Sequence, residues 1–167
     1  MRVVKLAILS FIFLFLLVTI ISLFIPGNIT ISKATNIPAE AQIFDLYIGK
    51  LTGWKEWHPS LKGVPEKEFI IFNDTTLKVK NTSIKLVERK DEEILTEMAT
   101  DGGRPVRSGL KLIRHEPGDS ATLQWFMEFK LRWYPWEKFR TLFFENIYGV
   151  QMEQGLANLK ELSRRRL

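Results

Sequence analysis

The stretch Thr122-Leu123-Gln124-Trp125-Phe126-Met127-Glu128-Phe129-Lys130-Leu131-Arg132-Trp133 alternates its side chains with a period of two. Leu123, Trp125, Met127, Phe129, Leu131 and Trp133 share one face of an extended chain. Thr122, Gln124, Glu128, Lys130 and Arg132 share the other, with Phe126 the sole exception. Such a pattern predicts a long, half-buried strand of an antiparallel sheet, one face wet and the other under a large apolar cover.

The cover follows directly. Pro135 suits a first helical turn and Glu137 places an acid there, where the helix dipole favours it. Phe139, Leu142, Phe143, Ile147, Val150, Leu156, Leu159 and Leu162 then form an apolar stripe toward the C-terminus, so one long helix is expected. Gly149 and Gly155 are places where it can bend or admit another element closely. Arg164, Arg165 and Arg166 stand where cations favour the negative end of a helix.

Upstream, the period changes in a definite order. Ile29 and Ile31 alternate with Thr30 and Ser32, predicting a strand over Asn28–Thr35. Pro38 to Gly49 carries Ala41, Phe44, Tyr47 and Ile48 at helical spacing, and a second short helix is expected from Leu51 to Trp57. After an irregular stretch, Phe69 to Phe72 is apolar and reads as a strand or a flap. Leu77 with Val79, Ile84 with Leu86, and Ile94 to Ala99 give strands, and Val106, Leu110 and Leu112 share one face of another. Lys90-Asp91-Glu92, Asp101-Gly102-Gly103 and Glu116-Pro117-Gly118-Asp119 supply the turns. The expected architecture is α+β: an antiparallel sheet that curls around a long C-terminal helix to bury both stripes.

The N-terminus has a different character. Leu6 to Ile25 is an uncharged run of 20 residues, 16 of them Leu, Ile, Phe or Val. That matches the roughly 20 helical residues needed to cross a hydrocarbon core about 30 Å thick. Those 16 side chains contribute at most about −5 to −10 kcal/mol toward insertion. A cleaved signal peptide has a shorter apolar region and small residues at its cleavage site, whereas this run leads into Pro26-Gly27. An uncleaved anchor over residues 1–27 is therefore expected, followed by one domain over 28–167. Arg2 and Lys5 precede the run and Lys33 alone follows within the next 20 residues. The positive-inside bias then puts the N-terminus in the cytoplasm and the domain on the extracytoplasmic, periplasmic side. With no cysteine, the chain has no site for a lipoprotein acyl group.

The net charge of +5 is not a nucleic-acid signal. Arg2, Lys5 and Arg164 to Arg166 hold five of the 24 basic residues, and the remaining 19 balance the 19 acids. A nucleic-acid binder concentrates its cations on one face, so no nucleic-acid partner is expected.

Order and local sequence together resemble the SRPBCC superfamily of helix-grip proteins, also called START-like or Bet v 1-like. More narrowly, they are similar to the bacterial polyketide cyclase/dehydrase and lipid transport group. The resemblance rests on residues 37–44 (IPAEAQIF), 54–59 (WKEWHP) and 152–162 (MEQGLANLKEL), and covers about residues 28 to 163. The family's Gly-rich loop after the second strand is not evident. Many members of that group begin with one membrane helix. The resemblance implies a cavity between curved sheet and long helix, used for lipids, sterols or polyketides. It would be lined by Trp54, Trp57, Leu77, Val79, Ile84, Leu86, Leu110, Leu112, Trp125, Met127, Phe129, Leu131, Trp133, Phe143, Ile147 and Val150.

Catalytic chemistry has little to work with. Cysteine is absent and the histidines are His58 and His115. His115 sits beside a turn on the Arg107/Lys111 face, a solvated position. His58, expected near the cavity mouth, is the one side chain to test as an acid or base. No spacing offers converging metal ligands; Asp91-Glu92-Glu93 reads as a solvated turn, and no cofactor is expected. Trp54, Trp57, Trp133 and Trp136 fit ordinary packing, an aromatic rim, or the membrane interface. Sequons at Asn28, Asn73 and Asn81 are too common by chance to imply glycosylation. The leading expectation is a membrane-tethered binding module for a hydrophobic small molecule or lipid. An accessory domain for a membrane-protein partner and a cyclase- or aromatase-like enzyme are the alternatives.

Overall fold

Two strands of equal length organise the molecule. In a computed structural model, which describes residues 2–38, 43–73, 75–115 and 120–165, β1 (Asn28–Pro38) pairs antiparallel with β7 (Ser120–Lys130) from end to end. Between them in sequence come β2 (Phe69–Asn73), β3 (Thr76–Val79), β4 (Thr82–Arg89), β5 (Glu93–Thr100) and β6 (Val106–Arg114). The seven form one antiparallel sheet in the order β1-β7-β6-β5-β4-β3-β2, so the first strand closes onto the last of a meander. Shifts of register near Ile71/Asn73 and Leu86/Glu88 mark bulges, which bend strands and increase twist.

The inner face of β7 buries alternate residues from Ala121 to Phe129, as the period-two pattern requires. Phe126, the exception to that pattern, lies opposite Gly109 of β6. A Cβ at Gly109 would come within 2.3 Å of the Phe126 ring. The aromatic ring thus covers the bare backbone of its neighbour strand and is half-buried on the outer face.

After β1 the chain makes a π-helical turn (Phe44–Ile48), a 3₁₀ turn (Leu51–Gly53) and the short α2 (Trp54–Trp57). Pro38 is the last residue of β1, paired with Ser120, and not the first of a helix. Ala41, the turn over 116–119 and Arg166 lie outside the described residues. Phe69 to Phe72 belongs to β2, an edge strand whose Ile70, Ile71 and Phe72 are exposed.

Past β7 the chain is helical almost continuously, but not as one regular helix. It runs through α3 (Pro135–Arg140), a 3₁₀ turn (Thr141–Phe143), a π-helical turn (Glu145–Gly149) and α4 (Val150–Arg164). The buried face nevertheless keeps helical spacing through Phe144, Gly149, Met152, Gly155, Leu156, Leu159 and Ser163. Lys33 of β1 reaches Glu145 at 2.5 Å and Glu153 at 2.8 Å, holding the helical run against the sheet. Hydrogen bonds to these carboxylates push its pKa above the ordinary lysine range.

The N-terminal helix α1 (Arg2–Leu23) is the one helix among the described residues long and apolar enough to cross a membrane. Its 22 residues span about 33 Å, and its apolar side chains are almost all exposed. Its end is tied to the domain: α1 touches α3, Ser22 is buried, and the Lys138 ammonium donates to the Ile25 carbonyl at 2.6 Å.

Where α4 crosses the sheet, a Cβ at Gly155 would lie 2.6 Å from Cζ3 of Trp125 and 3.2 Å from Cδ of Pro59. Trp125 is buried and held by its indole hydrogen bond to Ser108 Oγ at 2.7 Å. Gly155→Ala should therefore cost about 1–3 kcal/mol by overpacking. This outweighs the gain of about 1 kcal/mol in helix propensity. Urea unfolding of the detergent-solubilised chain reads the sign of the change.

Candidate ligand pocket

The centre of the sheet–helix contact is built from aromatic rings. Trp57 packs edge-on against Trp125 with centroids 5.2 Å apart, and His58 stacks on Trp54 at 5.5 Å. His58 also meets Trp57 at 5.3 Å and Trp125 at 5.3 Å. The indoles are polar-satisfied: Trp54 Nε1 donates to Ile48 O, Trp57 Nε1 to Tyr47 O, and Trp125 Nε1 to Ser108 Oγ. Asn158 of α4 donates to the Trp57 carbonyl at 2.9 Å, locking α2 under the last helix.

His58 thus belongs to the core and not to a cavity mouth. It is 3% exposed, and neither ring nitrogen has a hydrogen-bond partner among the described residues. Burial disfavours the charged imidazolium and lowers its pKa from 6.5 to about 4. A neutral imidazole walled by three indoles packs here as an aromatic ring.

Of the expected cavity residues, Trp54, Trp57, Leu77, Val79, Ile84, Leu110, Leu112, Trp125, Met127 and Phe129 are buried in the core, and Leu86 and Leu131 are half-buried against it. Four are not inside. Trp133 is 62% exposed, Phe143 60%, Ile147 49% and Val150 56%. Trp133 turns out because β7 ends at Lys130, where its partner β1 begins at Asn28. The other three turn out because they lie on the side of the helical run away from Phe144, Tyr148, Met152, Gly155 and Leu159, which repeat at helical spacing on the inner face.

Among the described residues, a pocket lies at one end of the grip. With a volume of about 580 Å³, it opens between the β5–β6 loop (Thr100 to Val106), the end of β7 (Phe129 to Arg132) and the helical run from Glu137 to Tyr148. Its aromatic wall is a cluster: Phe129 lies 4.7 Å from Phe144 and 4.8 Å from Tyr148, and Phe144 lies 5.3 Å from Tyr148. Arg104, Lys130, Arg132, Glu137 and Arg140 form the polar side. Only Phe129 and Leu131 of the expected lining are among these residues. Arg104 and Arg140 escaped sequence reading because the sheet, not chain proximity, brings them beside Lys130.

The pocket lies beside the segment that joins α1 to β1. Lys130, on its lining, pairs with Asn28, the Leu131 amide donates to Gly27 O at 2.8 Å, and Lys138 reaches Ile25 from within α3. Other candidate positions are surface features. His115 Nε2 sits 2.8 Å from Thr122 Oγ1 on the exposed face. Glu92 pairs with Arg114 at 2.6 Å. Among the described residues no group of three or more His, Cys, Asp or Glu is placed to hold a metal ion.

A curved antiparallel sheet closed on a long C-terminal helix defines a helix-grip protein. Residues 28–164 match the family described as polyketide cyclase / dehydrase and lipid transport, and the chain belongs to that family. Among solved structures, it is similar to a START superfamily protein from Mycobacterium smegmatis, with 14% identity and a TM-score of 0.59 over 83% of this chain and 99% of that one. A protein from Thermobifida fusca gives 17% identity and a TM-score of 0.60 over 81% and 93%. Norcoclaurine synthase from Thalictrum flavum, in complex with dopamine and hydroxybenzaldehyde, gives 14% and 0.54 over 84% and 90%. At these identities the likeness is one of fold. No curated protein sequence matches the chain significantly.

The buried histidine yields a pH test. Unfolded, His58 takes up a proton as pH falls through 6.5; folded, it does so only near 4. Its contribution is whole above pH 6.5 and is lost progressively down to about pH 4, a total of about 3 kcal/mol. His58→Phe should remove that part of the acid sensitivity, measured as the difference between variant and wild-type urea unfolding across this window.

Proposed function

We propose that the chain is a membrane-tethered binding module for a hydrophobic small molecule or lipid. Residues 1–27 act as an uncleaved anchor, and 28–167 form the binding domain on the extracytoplasmic side. The observation that carries this reading is the position of the aromatic pocket beside the end of α1, one residue pair from the start of β1. A site there is within reach of lipid without a long linker. The family's description as lipid transport and the small-molecule complex of norcoclaurine synthase support the class of ligand, although fold alone assigns no function.

The exposed aromatic residues support the same placement. Trp133 lies just before α3, which meets α1, and Trp136 lies within its first turn, stacked on Tyr134 at 4.9 Å. Tryptophan concentrates at bilayer interfaces, where an apolar ring and a polar N–H are both satisfied. A second reading, an accessory domain for a membrane-protein partner, draws on the exposed row Phe143, Ile147 and Val150.

Two measurements on one preparation test the proposal. Organic extraction of the detergent-purified chain should release a hydrophobic molecule in near-stoichiometric amount, and Tyr148→Ala should lower its recovery about tenfold, for a loss of roughly 1.4 kcal/mol. In vesicles with brominated lipid, emission from Trp133 and Trp136 should be quenched, and their replacement by Phe should leave an unquenched signal from Trp54, Trp57 and Trp125. Empty protein with unquenched Trp133 and Trp136 would favour the partner reading.

A further inference from the structure

The polar wall of the pocket makes a chemical demand that its aromatic wall does not. Arg104, Arg132 and Arg140 line it together with Lys130, and none of the four is paired with a carboxylate among the described residues. Arginines elsewhere on the sheet do find acids: Arg89 pairs with Asp45, Arg107 with Glu97 and Arg114 with Glu92. The one acid on the lining, Glu137, is turned to a backbone group, its Oε2 accepting from the Arg132 amide at 2.7 Å.

The guanidinium groups are held, but their donors are not used up. Arg104 Nη1 donates to Lys130 O at 3.3 Å. The Arg132 guanidinium lies over the Tyr134 ring at 5.7 Å, and that of Arg140 over the Phe144 ring at 5.9 Å. Contact with a ring face orients a guanidinium while leaving its N–H edge free for an oxyanion. Phe144 belongs at once to this arrangement and to the cluster with Phe129 and Tyr148. Charge and apolar surface therefore meet inside one pocket.

Each simpler ligand fits half of it. A neutral hydrophobe would leave the four exposed cations without a counter-charge. A free inorganic anion would leave the partly exposed Val106, Leu131 and Tyr148 uncovered. We infer that the pocket takes an anionic amphiphile, its phosphate or carboxylate head on Arg104, Arg132 and Arg140 and its chain along Val106, Leu131 and Tyr148 at the edge of the Phe129–Phe144 cluster. This rests on the hydrophobic-ligand reading above and adds the charge of the head group.

The test uses the full chain in a neutral maltoside detergent, with dodecyl phosphate, dodecanoate and dodecanol as probes of equal chain length, read by competition and native mass spectrometry. The two anionic probes should bind about tenfold or more tightly than dodecanol, with an advantage that shrinks as salt rises. Which anion is preferred separates a phosphate-headed lipid from a free fatty acid, and either supports the inference. The combined variant Arg104→Gln, Arg132→Gln, Arg140→Gln should bring the anions to the level of dodecanol and leave dodecanol unchanged. Replacing the same three by Lys should restore most of the preference, which separates charge from any loss of fold. Equal binding of all three probes, or an unaffected Gln variant, overturns the head-group assignment and leaves the hydrophobic pocket standing. Displacement of dodecyl phosphate by an equal concentration of inorganic phosphate overturns the amphiphile. Failure of every probe, dodecanol included, overturns the hydrophobic-ligand reading itself.

Discussion

The end-to-end pairing of β1 with β7 is the constraint on which the rest of this molecule depends. Because Asn28 meets Lys130, the first residue of β1, which four residues (24–27) separate from the apolar helix, and the last residue of β7 are fixed side by side. The chain leaving β7 must then turn beside the chain arriving from α1, and Lys138 closes that junction on the Ile25 carbonyl. The pocket forms in the same corner. Its location next to the N-terminal helix is a consequence of strand register and needs no further device.

The centre of the grip is packed by aromatic rings. Trp57, His58 and Trp125 occupy the space that a central cavity would need, and Gly155 lets α4 come down onto the Trp125 ring. Burying an imidazole whose ring nitrogens have no partner among the described residues costs stability at any pH, and it also makes the core sensitive to acid. The same packing seats α4 on the sheet, while the π-turn and 3₁₀ segments that carry Phe144 and Tyr148 border the pocket.

Much of the fold was legible because it is periodic. Alternation along β7 gave the inner face correctly from Leu123 to Phe129, and the change to helical spacing after Pro135 gave the covering element. What was not legible was phase. Residues 139–159 carry two apolar stripes, Phe143-Ile147-Val150 and Phe144-Tyr148-Met152, and it is the second that continues at helical spacing into the buried Gly155 and Leu159 and faces in. Phe126 looked like a fault in the pattern until Gly109 was placed opposite it, a pairing with no local signal. The arginines of the pocket show the same limit: Arg104 is joined to Lys130 across the sheet, whereas charge balance along the chain suggested a body without a basic site.

The central claim is that ligand binds at the Phe129–Phe144–Tyr148 end and not within the Trp57–Trp125 layer. Photo-crosslinking decides between them: the full chain in membranes is loaded with a fatty acid bearing a terminal diazirine, irradiated, digested and mapped by mass spectrometry. Adducts should fall on peptides containing Phe129 to Arg132 and Phe144 to Tyr148. Adducts concentrated on Trp54 to His58 and Met152 to Leu159 would contradict the account, since the ligand would then occupy the centre of the grip.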